Sequence, residues 1–459
     1  MMYSTLTFFV FATLGILGFY TVPYRFRKIY LIGLNAYFCI GFGWKHYAWL
    51  MIVVLWSYII GKIIEINHSK FWRDCGISLI VLSLFIVKFG SVFGIQSLFV
   101  PIGYSFYGLQ IVSFLFDLQK GKIQSYTFSE YVCIMTFFPL LLQGPICRFE
   151  MLRKQINSPV RFDEIAIKSG MLLMLFGIFK KVVIADRLSI FVSDVFTNYQ
   201  VKSGGVILIA VVFYAFQLYT DFSGCTDISR GVSECLGIHL PANFNNPYFS
   251  LSVKEFWNRW HISLSTWLKD YVYIPLGGNR KGTIRKYINL FLTFFVSGLW
   301  HGTGLQYLIW GGLQALGQVL EWFFNKWFTW YNRVDSLIVQ LVRRCYMTVF
   351  TLGSWLVFRA HGVRAAVLMA LKVLTGFFSF AGILECGLDQ KDLMLSFALI
   401  VGLLVVDFIR EKKKDVRQTL NAAPYVVQCL VFMILIFGIF VFGIYGSGYS
   451  ASDFIYMQF

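Results

Sequence analysis

Charge is what this 459-residue chain has least of: Asp, Glu, Lys and Arg make up 14% of it, against about 25% in ordinary soluble domains. With 58% of residues hydrophobic and 19% aromatic, that scarcity excludes both a soluble globular protein and a disordered one. Acidic residues are scarcer than basic ones, 23 against 40, which leaves a net charge of +17. In a soluble chain this balance would suggest nucleic acid. Here the basic residues sit in short segments beside apolar runs, namely Arg25, Arg27 and Lys28, then Arg280, Lys281, Arg285 and Lys286, then "REKKKDVR" from Arg410 to Arg417. Positive-inside bias accounts for them better, so no nucleic-acid partner is expected. Those segments are expected on the cytoplasmic side, with both termini outside.

Other absences narrow the class further. The nine cysteines include no CxxC pair and no histidines at zinc spacing, so neither a disulfide framework nor a metal site is expected. There is no GxSxG elbow, which argues against a self-contained serine hydrolase. No low-complexity tract or repeat separates a soluble part, and the reading is one integral domain over 1–459.

What the chain does contain is uncharged runs, among them 1–24, 29–44, 46–61, 89–116, 131–147, 203–220, 287–320 and 418–452. They are continuous rather than alternating, which points to helices and not to a barrel. At about 20 residues per span, the expectation is an all-α multi-pass membrane protein with roughly 10 to 12 spans plus amphipathic or re-entrant helices. The first run lacks a basic start and a small-residue cleavage site, and reads as a retained helix.

The interval 221–286 is polar enough to leave the bilayer, yet rich in tryptophan. A helix from about Ser252, capped with Glu255 three residues on, puts Phe256, Trp260, Leu264 and Trp267 on adjoining faces. Arg259, Lys269 and Asp270 are its polar component, and such a helix belongs at an interface or in a protein-lined cavity. His261 lies within it, close to Arg259, Ser263 and Ser265, with a structural and a catalytic reading both open. Asp221 ends an apolar run with Asp227 six residues on. Pairing with Arg230 or Arg259 and acid–base work are the two readings for these acids.

"SGLWHGTG", residues 297–304, places His301 among three glycines in the uncharged run 287–320, which is too long for one span. Glycine loosens a helix and admits close approach, so the break is expected here. A helix from Lys286 would bring His301 about 22 Å along its axis, near mid-bilayer. There the ring either packs by bonding a neighbouring helix, or acts as a general base that desolvation keeps neutral and able to accept a proton.

Taken together, "FWNRWHISLSTWLKDYVYIPLGGNR" and the following "SGLWHGTG" resemble the membrane-bound O-acyltransferase (MBOAT) superfamily, and its bacterial alginate O-acetyltransferase-like branch. "PIGYSFYGLQIVSFLFD" from Pro101, "QGPICR" from Gln143, "DFSGCTDISRG" from Asp221 and "NFNNPY" from Asn243 agree in order, so the resemblance covers a motif core of about 100–320. It implies a ring of tilted helices around a central tunnel. His301 is implied as the essential residue within that tunnel and His261 as the residue near its cytoplasmic mouth. Trp300, Asp221, Ser265 and Tyr456 complete the candidate set as tunnel or supporting residues.

The implied reaction moves an acetyl group from a cytoplasmic thioester, acetyl-CoA or a similar donor, to an extracellular or cell-wall polysaccharide. No bound cofactor is expected, and an exported esterase-like partner is expected, since nothing in the chain would hold the polymer outside. The tail 446–459 is expected outside the bacterial cell membrane, where Tyr456 either receives the acyl group or merely anchors at the interface. Two other readings stand beside this one: D-alanyl transfer to teichoic acid by a related branch, and a polymer exporter or flippase without chemistry.

Overall fold

The computed structural model describes residues 2–94, 99–332, 336–412 and 416–445, and among them the regular structure is helical with no strand. Contacts divide the chain into two compact units. The first comprises Met1–Ile178 with Cys225–Ala242, and the second Phe179–Gly224 with Asn243–Ile455, as far as these are described.

The first unit holds α1 (Leu6–Thr21), α2 (Tyr24–Ile40), α3 (Trp44–Asn67), α4 (Lys70–Phe89), α5 (Tyr104–Gln119), α6 (Phe128–Met135), α7 (Phe149–Ile156) and α8 (Glu164–Ile178), single turns aside. Its polar groups serve to join helices. Buried Asn35 of α2 donates to the Cys133 carbonyl at 3.2 Å and accepts from the Phe138 amide at 3.0 Å, so one amide side chain ties the end of α6 to the turn that follows it. Ser57 of α3 meets the Tyr131 hydroxyl at 2.8 Å. α6 begins with a capping box, Thr127 bonding the Glu130 amide while the Glu130 carboxylate bonds the Thr127 amide.

In the second unit, a π-helical stretch, Phe179–Ala185, leads into α9 (Asp186–Thr197). There follow α10 (Gly204–Cys235), α11 (Val253–Arg259), α12 (Ile262–Leu268), α13 (Gly282–His301), α14 (Leu305–Trp327), α15 (Leu337–Arg359), α16 (Val363–Thr375), α17 (Gln390–Glu411) and α18 (Tyr425–Phe442). The last residues of α10 belong to the first unit, where Ser229 donates to the Pro139 carbonyl.

Among the described residues, α3, α10, α17 and α18 are both long and apolar enough to cross a membrane. α4, α13, α14 and α15 match them in length, at 20 to 23 residues, with charges near their ends. The chain is therefore an all-α multi-pass membrane protein. Burial ranks the helices. In the apolar window of α10, 78% of residues are buried, against 6% in α18, so α10 is a scaffold inside protein and α18 a helix that faces outward.

Two expectations about the polar interval change. Residues 221–235 do not leave the apolar run but continue α10 without interruption. The tryptophan-rich stretch is not one helix either: it breaks into α11 and α12, seven residues each and too short to span.

Candidate active site

His261 occupies the break. Its backbone is left-handed (φ 44°, ψ 51°), a conformation that costs a non-glycine residue on the order of 1–3 kcal/mol unless its surroundings impose it. The surroundings come from "NFNN". The Asn243 carbonyl accepts from the Ile262 amide at 3.0 Å, and the Asn243 side-chain oxygen accepts from the Ser263 amide at 3.0 Å. The Asn245 amide donates to the Arg259 carbonyl at 2.9 Å. Thus the orphan amides at the start of α12 find partners outside their own helix.

The α11 side is capped as the sequence indicates. Ser252 accepts from the Glu255 amide at 3.0 Å, and the Glu255 carboxylate reaches the Leu251 amide at 2.8 Å, one residue before the cap. Arg259 joins Glu255 at 2.7 Å and grips Glu411 with both terminal nitrogens, at 2.6 and 3.0 Å. The Ser265 hydroxyl donates to the Trp260 carbonyl at 3.2 Å, which closes the break from within rather than aiming the hydroxyl at a substrate.

The His261 ring is 1% exposed and lies edge-on to Phe222 of α10, with centroids 4.6 Å apart. Burial pulls its imidazole down to about 3, so the ring is neutral near pH 7.

The break expected in the run 287–320 is present. α13 ends at His301, Gly302 is extended, and α14 starts at Leu305. A Cβ on Gly298 would come within 2.4 Å of the Tyr307 carbonyl oxygen, and one on Gly311 within 2.3 Å of that of Phe294. Glycine at these two positions lets α13 and α14 run backbone against backbone.

His301 is 2% exposed and boxed by aromatic rings: Trp300 at 4.9 Å, Trp310 at 5.1 Å and Phe358 at 5.3 Å, all near perpendicular. The half-buried Trp300 ring is also 6.0 Å from that of His261, so one indole borders both histidines. A second aromatic path joins them, from Trp310 to Trp355 to Trp260, the residue before His261. α14 in turn holds α11, Gln314 accepting from Trp257 at 3.2 Å and Glu321 from the Val253 amide. The two motifs, some forty residues apart in sequence, are thereby one packed site.

Asp221 departs from expectation. It lies within α10, not at its end, and pairs with Lys181 at 2.7 Å instead of Arg230 or Arg259. Lys181 also binds Asp186 at 2.9 Å, and the neighbouring Lys180 donates to Ser223 at 2.8 Å. Both lysines lie in the π-helical stretch, every residue of which from Lys180 to Ala185 is buried. Asp227 pairs with Arg230 at 3.1 Å. Sequence reasoning missed Lys181, although a lysine doublet inside an apolar stretch was the available signal. It also missed Asn243, Trp310 and Phe358. Tyr456 lies outside the described residues.

A buried imidazole boxed by aromatic rings suits proton abstraction from a hydroxyl in a water-poor site. Residues 95–358 match the model of MBOAT, the membrane-bound O-acyltransferase family, and the chain belongs to that family. It is an acyltransferase, which sets aside the exporter reading.

The chain is 30% identical over 438 residues to a probable alginate O-acetylase AlgI of Pseudomonas fluorescens, covering 93% of this chain and 86% of that one. It is 29% identical to a peptidoglycan O-acetyltransferase of Helicobacter pylori, over 84% and 81% of the two chains. A teichoic acid D-alanyltransferase of Streptococcus thermophilus is 28% identical, over 59% and 71%.

Proposed function

We propose that this acyltransferase moves acetyl groups from a cytoplasmic thioester, acetyl-CoA, across the cell membrane for O-acetylation of an extracellular or cell-wall polysaccharide. The observation that carries the proposal is His301 at the glycine-broken turn, buried in its aromatic box and sharing Trp300 with His261. In this reading a His301 ring nitrogen takes the proton of an acceptor hydroxyl as its oxygen attacks the thioester carbonyl carbon. The C–S bond breaks, the ester forms, and the imidazolium returns its proton to the departing thiolate. His261, on the donor side, is the second candidate catalytic group. Trp300 and the glycines form the wall between them, while Asp221 and Ser265 support the elements that hold the histidines.

The acetyl reading is favoured over D-alanyl transfer because the O-acetylating relatives align over most of this chain, whereas the D-alanyltransferase aligns over 59% of it. An exported esterase-like protein would complete transfer to the polymer, with both termini of this chain outside. Tyr456 is the candidate relay hydroxyl.

Membranes containing the chain and its partner, given labelled acetyl-CoA, should label the polymer. An absence of transfer contradicts the donor assignment. Tyr456→Phe should abolish polymer labelling while leaving the chain in the membrane; unchanged labelling removes the relay and leaves the tail as an anchor.

A further inference from the structure

Away from the histidines, Arg25, Arg27 and Lys28 at the start of α2 line a cavity of about 140 Å³ closed by Phe19, Gln155 and Asn157. That is about ten times the space one water requires. Three cations line it and, among the described residues, no Asp or Glu does. The nearby Glu130 carboxylate, 3.8 Å from Lys28, is already held by the Thr127 amide and the Asn157 side chain.

Arg27 forms a fixed wall. Its guanidinium donates to the Val22 carbonyl at 3.1 Å and the Val160 carbonyl at 2.6 Å, and lies 4.8 Å over the Phe19 ring. The same two helices, α1 and α2, border an open apolar furrow of about 520 Å³ along Leu6, Val10, Leu14, Tyr30 and Leu34. A soluble anion would use only the basic cavity. A molecule with a phosphate at one end and an acyl chain at the other would use both features. The start of α2 is also one of the basic segments expected on the cytoplasmic face, where anionic lipids are found.

We propose that the α1–α2 pair is a binding site for an anionic phospholipid, with its phosphate among Arg25, Arg27 and Lys28 and an acyl chain along the furrow. This site does not depend on the acetyl-transfer reading. It gives the first unit a ligand of its own.

The test is native mass spectrometry of the full chain in detergent, titrated with phosphatidylglycerol, with phosphatidylcholine of the same chain length, or with inorganic phosphate. The wild type should retain phosphatidylglycerol in preference to phosphatidylcholine. Arg25→Gln with Lys28→Gln should weaken that retention about 25-fold, since each cation near an anionic headgroup contributes about 1 kcal/mol. Both residues can be replaced without touching the Arg27 bonds, and each single variant should show about a fivefold loss. Equal retention of the two lipids, or undiminished retention by the variants, overturns the proposal. Competition by inorganic phosphate as effective as by the lipid overturns the lipid assignment in favour of a soluble anion.

Discussion

Replacing Lys181 by methionine removes an ammonium that the structure places between two buried carboxylates, Asp221 at 2.7 Å and Asp186 at 2.9 Å. The lysine and Asp221 side chains are 1% and 2% exposed, so solvent does little to screen what is lost. Breaking a buried pair by deleting one partner costs about 3–5 kcal/mol, because the other charge is left uncompensated. Here two carboxylates lose their shared partner, which puts Lys181→Met at the upper end of that range. Asp221→Asn leaves Lys181 with Asp186 and keeps a hydrogen-bonding side chain in place. Its expected cost is about 1–3 kcal/mol, that of one weakened charged hydrogen bond.

The assay is equilibrium unfolding of purified protein in mixed micelles, with the histidine site read separately through acyl transfer. Because Phe222 follows Asp221 on α10 and packs on His261, both variants should also lower transfer. Lys181→Met that is as stable as wild type, or less damaging than Asp221→Asn, would refute the reasoning.

Gly298→Ala puts a methyl group 2.4 Å from the Tyr307 carbonyl oxygen, so α13 and α14 must separate. We expect a loss of about 1–3 kcal/mol in the same unfolding assay, together with loss of transfer, since the His301 turn lies between those helices. Asn243→Ala deletes the acceptor of the Ser263 amide in a buried setting, at a cost of about 1–3 kcal/mol. It should reduce transfer more than stability, because the left-handed His261 backbone loses one of its restraints; hydrogen exchange at 260–265 would report the loosening.

The histidine at 301 was legible because its cause is local. Three glycines within eight residues of an over-long apolar run announce a break, and the break is where they stand. The break at His261 has no local cause of that kind. The apolar spacing of Phe256, Trp260, Leu264 and Trp267 continues through it, and the helix is interrupted by bonds from Asn243 and Asn245, residues the local pattern says nothing about. Asp221 was misassigned for the same reason. Its partner, Lys181, is 40 residues away, in the buried π-helical stretch. The Ser252 cap, which acts within four residues, was read correctly. Interactions that close within a helical turn or two show in the sequence, and those that close across helices do not.

The central claim is that His301 is the base and not a packing residue, and His301→Ala tests it most directly. The variant should reach the membrane folded, with the unfolding profile of wild type apart from a modest cavity cost, and should transfer acetyl from labelled acetyl-CoA to the polymer far more slowly. The loss expected from removing a positioned general base is about 100-fold to 10,000-fold. Transfer at the wild-type rate by a folded His301→Ala protein would contradict the account.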